Sequence, residues 1–394
     1  MDIAGILARW PELWDRLHES LTYERAAHVF MRLADTPAPS QLARHTRGRV
    51  IEDMLQAEPA FGEAKARYSG NVRATGTVAL ETGHARRKQL WLITHLDTIS
   101  YAIHRKEGNR YRLMPLCYHQ IKSGRRPGLA LQYLPATKSL HVASVGDVVT
   151  EAEGREVFFE TTGGDLPPGV RIAYQSSARV NWETLALEGN IDNAFACAAA
   201  YLAMVFLGSL RNSETGASPE ILAAFPDEEE GVISPGNQAF CRGSARLFHR
   251  MPMEELPDFV MVSDVHEAGD MADGPGASGV RMGGGATFSE VASWGKGGVV
   301  PPPILAFQRE LATFLGTKGI RLRENRDGYL SRSDDVSAMM YTPNIALIGF
   351  LGTHRHFDEG PPQANLGDLV HLAKTFVVYS LVAHDEQWRT DYLT

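Results

Sequence analysis

Four apolar runs in this chain finish on residues of the types that can ligate metal ions: LWLIT on His95, ILAAF on the acidic group PDEEE that follows, FVMVS on Asp264, and IALIGFLG on His354 and His356. None of the four alternates apolar with polar, so each reads as a strand covered on both faces, which requires a parallel or mixed sheet between helical layers. Open sheets of this kind bind ligands beyond the carboxyl ends of their strands. PDEEE sharpens the constraint, because desolvated carboxylates in succession repel one another and lose hydration unless a positive charge meets them.

The order of elements frames these runs. Residues 11 to 58 carry two helical patterns separated by the loop TPAPSQ, and SGNVRATGTVALE then reads as strand with a turn at Ser69 and Gly70. From about 100 to 189 the character changes to short β-like runs such as RYRLMPL, LALQYL and EVFFETT, punctuated by Gly, Pro and charge, as in a small β-domain or barrel. The helix-and-strand rhythm resumes at NIDNAFACAAAYLAMVFLGSL, where Asp192 opens a long Ala-rich helix in an N-cap position. Further helices are expected over 237–249 and 304–316, and one beginning in SRSDDVSAMM. The expected fold class is therefore α/β, a mixed and mainly parallel sheet flanked by helices, formed by 1–99 and 190–394 with 100–189 inserted.

Composition narrows the partners. A net charge of -8 and a pI near 6.0 give no basic face for a phosphate backbone, so nucleic acid is not expected. The 3 cysteines, Cys117, Cys197 and Cys241, form no CxxC pair, which fits a reducing cytoplasm. The N-terminal stretch has no unbroken apolar core of a signal peptide. No membrane segment is expected either, since LVHLAKTFVVYSLVAH comes nearest to the required length of about 18 apolar residues but is interrupted by His371 and Lys374.

Brought to one sheet edge, two imidazoles and three carboxylates suit a pair of borderline divalent ions, Zn²⁺ foremost and Co²⁺ or Mn²⁺ as alternatives, sharing one Asp. Such a pair polarises a carbonyl and lowers the pKa of a water toward neutrality. A carboxylate outside the ligand set would move the proton. Adjacent glutamates offer both parts, one as ligand and one facing the water, and Asp97 stands two residues past His95, where it can orient the imidazole.

HLD, NIDNA, PDEEEG, SDVHEAGD and the late His, in that order, resemble the di-zinc exopeptidases, with the match nearest to the glutamyl aminopeptidase and tetrahedral aminopeptidase family. SGNVRATG and RMGGG also resemble family segments. The resemblance implies His95, Asp192, Glu229, Asp264 and His356 as metal ligands, with Asp192 bridging, Glu228 as general base and Asp97 supporting His95. The family's spacing after the last strand selects His356 over His354, and His266 is left as a supporting residue. The implied activity is removal of N-terminal residues from peptides by a homo-oligomer. An N-acyl amino acid deacylase or carboxypeptidase-type amidohydrolase is the alternative: an acidic pocket favours the first, a convergent Arg the second. Thr98 stands where the family has an acidic residue, and Asn193 and Ala194 where it has Asp-Arg.

Overall fold

A computed structural model describes the chain except residues 59–65, 120, 232–240, 268–279, 327–331 and 394. The start of the helix expected over 237–249, the AGD of SDVHEAGD and the Ser331 that opens SRSDDVSAMM lie outside the described residues. Across the central sheet the strands run Arg67–Ser69, Val78–Glu81, Ile221–Phe225, Leu90–Ile93, Phe259–Glu267, Ile345–Gly352, Ala286–Ser289 and Leu322–Glu324. The inner four are mutually parallel, and antiparallel pairings on either side make the sheet mixed. Leu90–Ile93, Ile221–Phe225 and Ile345–Gly352 are buried at every position. Their lack of alternation follows from helices on both faces. The fold is α/β, as expected from the apolar runs.

Helix Ile191–Ser209 packs against Tyr23–Ala34 and Leu366–Ala383. The first and last of these three differ from the sequence expectation in one respect: Ile191–Ser209 (19 residues) and Leu366–Ala383 (18 residues) are long and apolar enough to cross a membrane. Both are enclosed by the rest of the protein, and His371 and Lys374 mark the half-buried side of the second.

Residues 100–174 form a closed six-stranded antiparallel barrel, from Ser100–Glu107 to Arg171–Tyr174, around Tyr101, Tyr111, Phe159 and Ile172. Beyond it, Arg179–Asn181 and Ala186–Glu188 pair with Gln363–Asn365 in a separate sheet. The barrel is joined to the segment after the last central strand. Phe357 enters the barrel core, its ring centroid 4.8 Å from that of Tyr174, and Arg126 donates to the Phe357 and Asp358 carbonyls at 3.2 and 3.3 Å.

Gly349 sits in register with Asp264 on the neighbouring strand. A Cβ there would come 2.0 Å from the Asp264 carbonyl oxygen and 2.7 Å from His266 Nε2. Backbone cannot yield as a flexible side chain can, so Gly349→Ala is expected to cost ~1–3 kcal/mol. Urea unfolding would read this as a lower midpoint, and an unchanged midpoint would mean that the two strands separate freely.

Candidate metal centre

Register brings the expected residues together. Ile93 pairs with Ala224 on one side and Val262 on the other, while Asp264 pairs with Gly349, so the segments leaving these strands emerge along one edge. Asp192 enters from the first turn of its helix, where it and Asn193 depart from helical geometry and the peptide between them is cis. Asn193 is tied to this edge through its side-chain amide, which donates to the Ser263 carbonyl at 2.9 Å.

Two groups of donors share Asp192: His95 with Asp264, and Glu230 with His356, the ligand atoms in each group lying within 4.8 Å of one another. His95 Nε2 is 3.1 Å from Asp192 Oδ1 and 3.6 Å from Asp264 Oδ2. On the other side, His356 Nε2 is 3.4 Å from Asp192 Oδ2 and 3.6 Å from Glu230 Oε2. The far nitrogens of both rings are committed to backbone. His95 Nδ1 donates to the Asp97 carbonyl at 3.1 Å and His356 Nδ1 to the Tyr118 carbonyl at 2.6 Å, which leaves each Nε2 facing the cluster. Asp97 is itself fixed by the Ser40 hydroxyl at 2.5 Å and the Glu229 amide at 3.0 Å.

The electrostatics are those of a site that needs cations. Burial raises the pKa of Glu229 and Glu230 well above the usual carboxylate range, and neighbouring carboxylates add to the effect: Asp264 for Glu229, and Asp192 for Glu230. Burial disfavours protonated His95, but the carboxylates of Glu229, Asp192, Asp264 and Asp97 outweigh it and raise that imidazole. Asp192 is also penalised by burial, yet the His356 and His95 imidazoles hold it low. Despite this crowding, His95 Nε2, Asp192 Oδ1 and Glu230 Oε1 are buried without a hydrogen-bond partner. Buried donors and acceptors are normally satisfied. Orphaned imidazole and carboxylate atoms that converge fit divalent ions of borderline character.

The geometry departs from the implied roles at the glutamates. The chain turns at Glu228, whose φ is 72°, and its carboxylate meets Arg242 at 2.9 Å and Arg246 at 2.7 Å, outside both donor groups. Glu230, for which the sequence implied no role, is the glutamate beside His356. Glu229 lies between the groups, Oε2 3.8 Å from His95 Nε2, and Cys241 Sγ approaches its Oε1 at 3.5 Å. His354 is half-buried and faces Asp358 at 3.5 Å. His266 lies within the sheet, with Nδ1 2.7 Å from the Thr287 hydroxyl and its pKa lowered to about 3 by burial. Ser40, Cys241 and the Tyr118 carbonyl were not legible in the sequence, since none belongs to a motif.

A cavity of 380 Å³ opens over the cluster, lined by Asp192, Glu229, Glu230, Asp264 and His356 and, on its other walls, by Tyr118, Ser293, Lys296, Arg332 and Arg355.

No family model matches the sequence, and no curated protein matches it. Solved structures do. A TET aminopeptidase from a marine-sediment Thaumarchaeota archaeon is 12% identical, with a TM-score of 0.71 over 94% of this chain and 99% of that one. The TET1 peptidase of Pyrococcus horikoshii, which can assemble into a tetrahedron or a large octahedral shell, is 14% identical, with a TM-score of 0.67 over 90% and 99%. Aminopeptidase I from Clostridium acetobutylicum is 12% identical, with a TM-score of 0.62 over 89% and 93%. This chain has the fold of these aminopeptidases.

Metal binding to the folded state alone should raise stability by about 2.7 kcal/mol at a free ion concentration of 100 Kd. Thermal unfolding of chelator-treated protein with added Zn²⁺ should therefore shift upward. Asp192→Asn should remove most of the shift and Glu228→Gln should keep it; a shift that survives Asp192→Asn would place the ion elsewhere.

Proposed function

We propose that this chain is a metal-dependent aminopeptidase in which His95 with Asp264, and Glu230 with His356, would hold two divalent ions, with Asp192 shared between the two groups. What carries the reading is the sharing of Asp192 between two donor groups that each hold an unpartnered buried atom, with Glu229 standing between them. Bound Zn²⁺, or Co²⁺ or Mn²⁺, would polarise the scissile carbonyl and bring a water toward ionisation at neutral pH.

The protein's own part is positioning and proton transfer. Asp97 and the Tyr118 carbonyl fix the two imidazoles so that each Nε2 points inward. Glu229, standing between the two donor groups, takes the proton of the attacking water and delivers it to the leaving amine. Glu228, paired with two arginines, serves the fold of the loop instead. This reading moves the base and the ligand one residue along the glutamate run from the roles that the motif resemblance implied. We also propose a homo-oligomer, supported by the assemblies of the TET1 neighbour. The alternative substrate, an N-acyl amino acid, is favoured by the basic residues on the cavity wall.

Glu229→Gln should lower kcat on aminoacyl anilides by about 100-fold to 10,000-fold while metal content is unchanged. Glu228→Gln should stay within about tenfold of the parent and lose stability, as expected when paired groups are disturbed. Full activity in Glu229→Gln would remove it as the base.

A further inference from the structure

Asp97 faces two ways. Its main-chain carbonyl accepts from His95 Nδ1 at 3.1 Å, and that bond sets the tautomer and direction of the imidazole. Its carboxylate is committed elsewhere: Oδ1 accepts the Glu229 amide at 3.0 Å and Oδ2 accepts the Ser40 hydroxyl at 2.5 Å. His95 Nδ1 is 3.5 Å from Oδ1, too long for a good hydrogen bond. The carboxylate therefore acts on the glutamate segment, and the hydroxyl that holds it comes from a loop near the start of the chain.

That loop is clasped from both sides. Towards the segment that carries His95, the Thr98 amide donates to the Ala38 carbonyl at 2.8 Å and the Ser40 amide to the Ser100 hydroxyl at 3.2 Å. Towards the glutamates, Asp227 accepts the Gln41 amide on Oδ1 at 2.8 Å and the Ala43 amide on Oδ2 at 3.0 Å. Gln41 takes a φ of 75°, a left-handed conformation that disfavours a side chain, so these bonds impose the path of the loop. Ser40, Asp97 and Asp227 are all buried. One loop thus bridges the segments leaving strands Leu90–Ile93 and Ile221–Phe225, meeting the first on Asp97 and the second on Asp227.

We propose that Ser40 is a positioning residue for Glu229, acting through the Asp97 carboxylate; this rests on Glu229 being the base. The last torsion of an aspartate is broad, so an unrestrained carboxylate can turn and offer either oxygen. With Oδ2 held by the Ser40 hydroxyl, Oδ1 stays on the Glu229 amide. The Glu229 carbonyl is held as well, by the Cys241 amide at 2.9 Å. Its main chain is then fixed at both ends, and the side chain moves only about its own torsions between the two donor groups. Ser40 belongs to neither donor group, so its effect passes through placement of the base and not through the ligands.

Ser40→Ala removes the hydroxyl and leaves the main-chain bonds of the loop in place. On aminoacyl anilides kcat should fall about tenfold to 100-fold, the scale of a catalytic group displaced by up to about 1 Å, while KM stays within about twofold. Ser40→Thr restores a hydroxyl and should recover most of the loss. In a Glu229→Gln background, Ser40→Ala should lower kcat by no more than about twofold, because its route to the reaction is already cut. Calorimetric Zn²⁺ titration of chelator-treated protein gives a readout apart from turnover. Ser40→Ala should bind Zn²⁺ as the parent does, whereas a hydroxyl acting on His95 would weaken binding about tenfold to 100-fold when removed. Parental kcat in Ser40→Ala beside an impaired Glu229→Gln would overturn this assignment alone. So would weakened Zn²⁺ binding, an equal loss in Ser40→Thr, or a loss that persists undiminished in the Glu229→Gln background. Parental kcat in Glu229→Gln would overturn the base reading and take this assignment with it.

Discussion

Carboxylates crowded together out of water set the terms for the rest of this structure. Asp97, Asp192, Glu229, Glu230, Asp264 and Asp334 are all buried at one edge of the sheet. Burial, with nearby acids adding to it, pushes the Asp334 carboxyl to about 7. Such a group is stable in ionised form only where positive charge and hydrogen bonds compensate it. Some compensation comes from His95 and His356, and some from beneath. Arg47 is completely buried, and although burial lowers its pKa to about 10, Asp97, Asp192 and Glu230 favour its charged form. It also donates to the carbonyls of Leu33 and Leu96, fastening helix Tyr23–Ala34 to the segment that carries His95. Divalent ions would complete the balance.

The barrel takes part in this arrangement. The segment Thr353–Asp358 leaves the last parallel strand with no regular structure of its own to hold it, and the barrel supplies the support. Tyr118 fixes the His356 ring, Phe357 is packed inside the barrel core, and Arg126 holds the Phe357 and Asp358 carbonyls. The placing of His356 therefore depends on a barrel that, among the described residues, contributes no side chain to either donor group. The cavity depends on it too, since Tyr118 forms part of the wall.

Much of this was legible in the linear chain. Strands covered on both faces write themselves as unbroken apolar runs, so Leu90–Ile93, Ile221–Phe225, Phe259–Glu267 and Ile345–Gly352 could be recognised, and their order placed His95, Asp192, Asp264 and His356 near one another. The glutamates were a different case. Three identical side chains in succession differ only in direction, and direction is set by a backbone turn at Glu228 that pairs its carboxylate with Arg242 and Arg246. Those arginines come well after the glutamates in the chain and carry no motif. Lys296 and Arg332 were equally silent, because exposed cations on separate loops are ordinary until a shared anchor such as Asp335 brings them to one cavity.

The sequence by itself determined the sheet, its layers and the chemical inventory of its carboxyl edge, because hydrophobic period and residue type are local properties of the chain. Only the tertiary structure decided which glutamate faces the imidazoles, which residues hold those imidazoles in place, and which charges line the cavity above them. These depend on backbone direction and on contacts between segments tens to hundreds of residues apart. Asp97 receiving the Glu229 amide and Tyr118 receiving His356 are examples that no local pattern encodes.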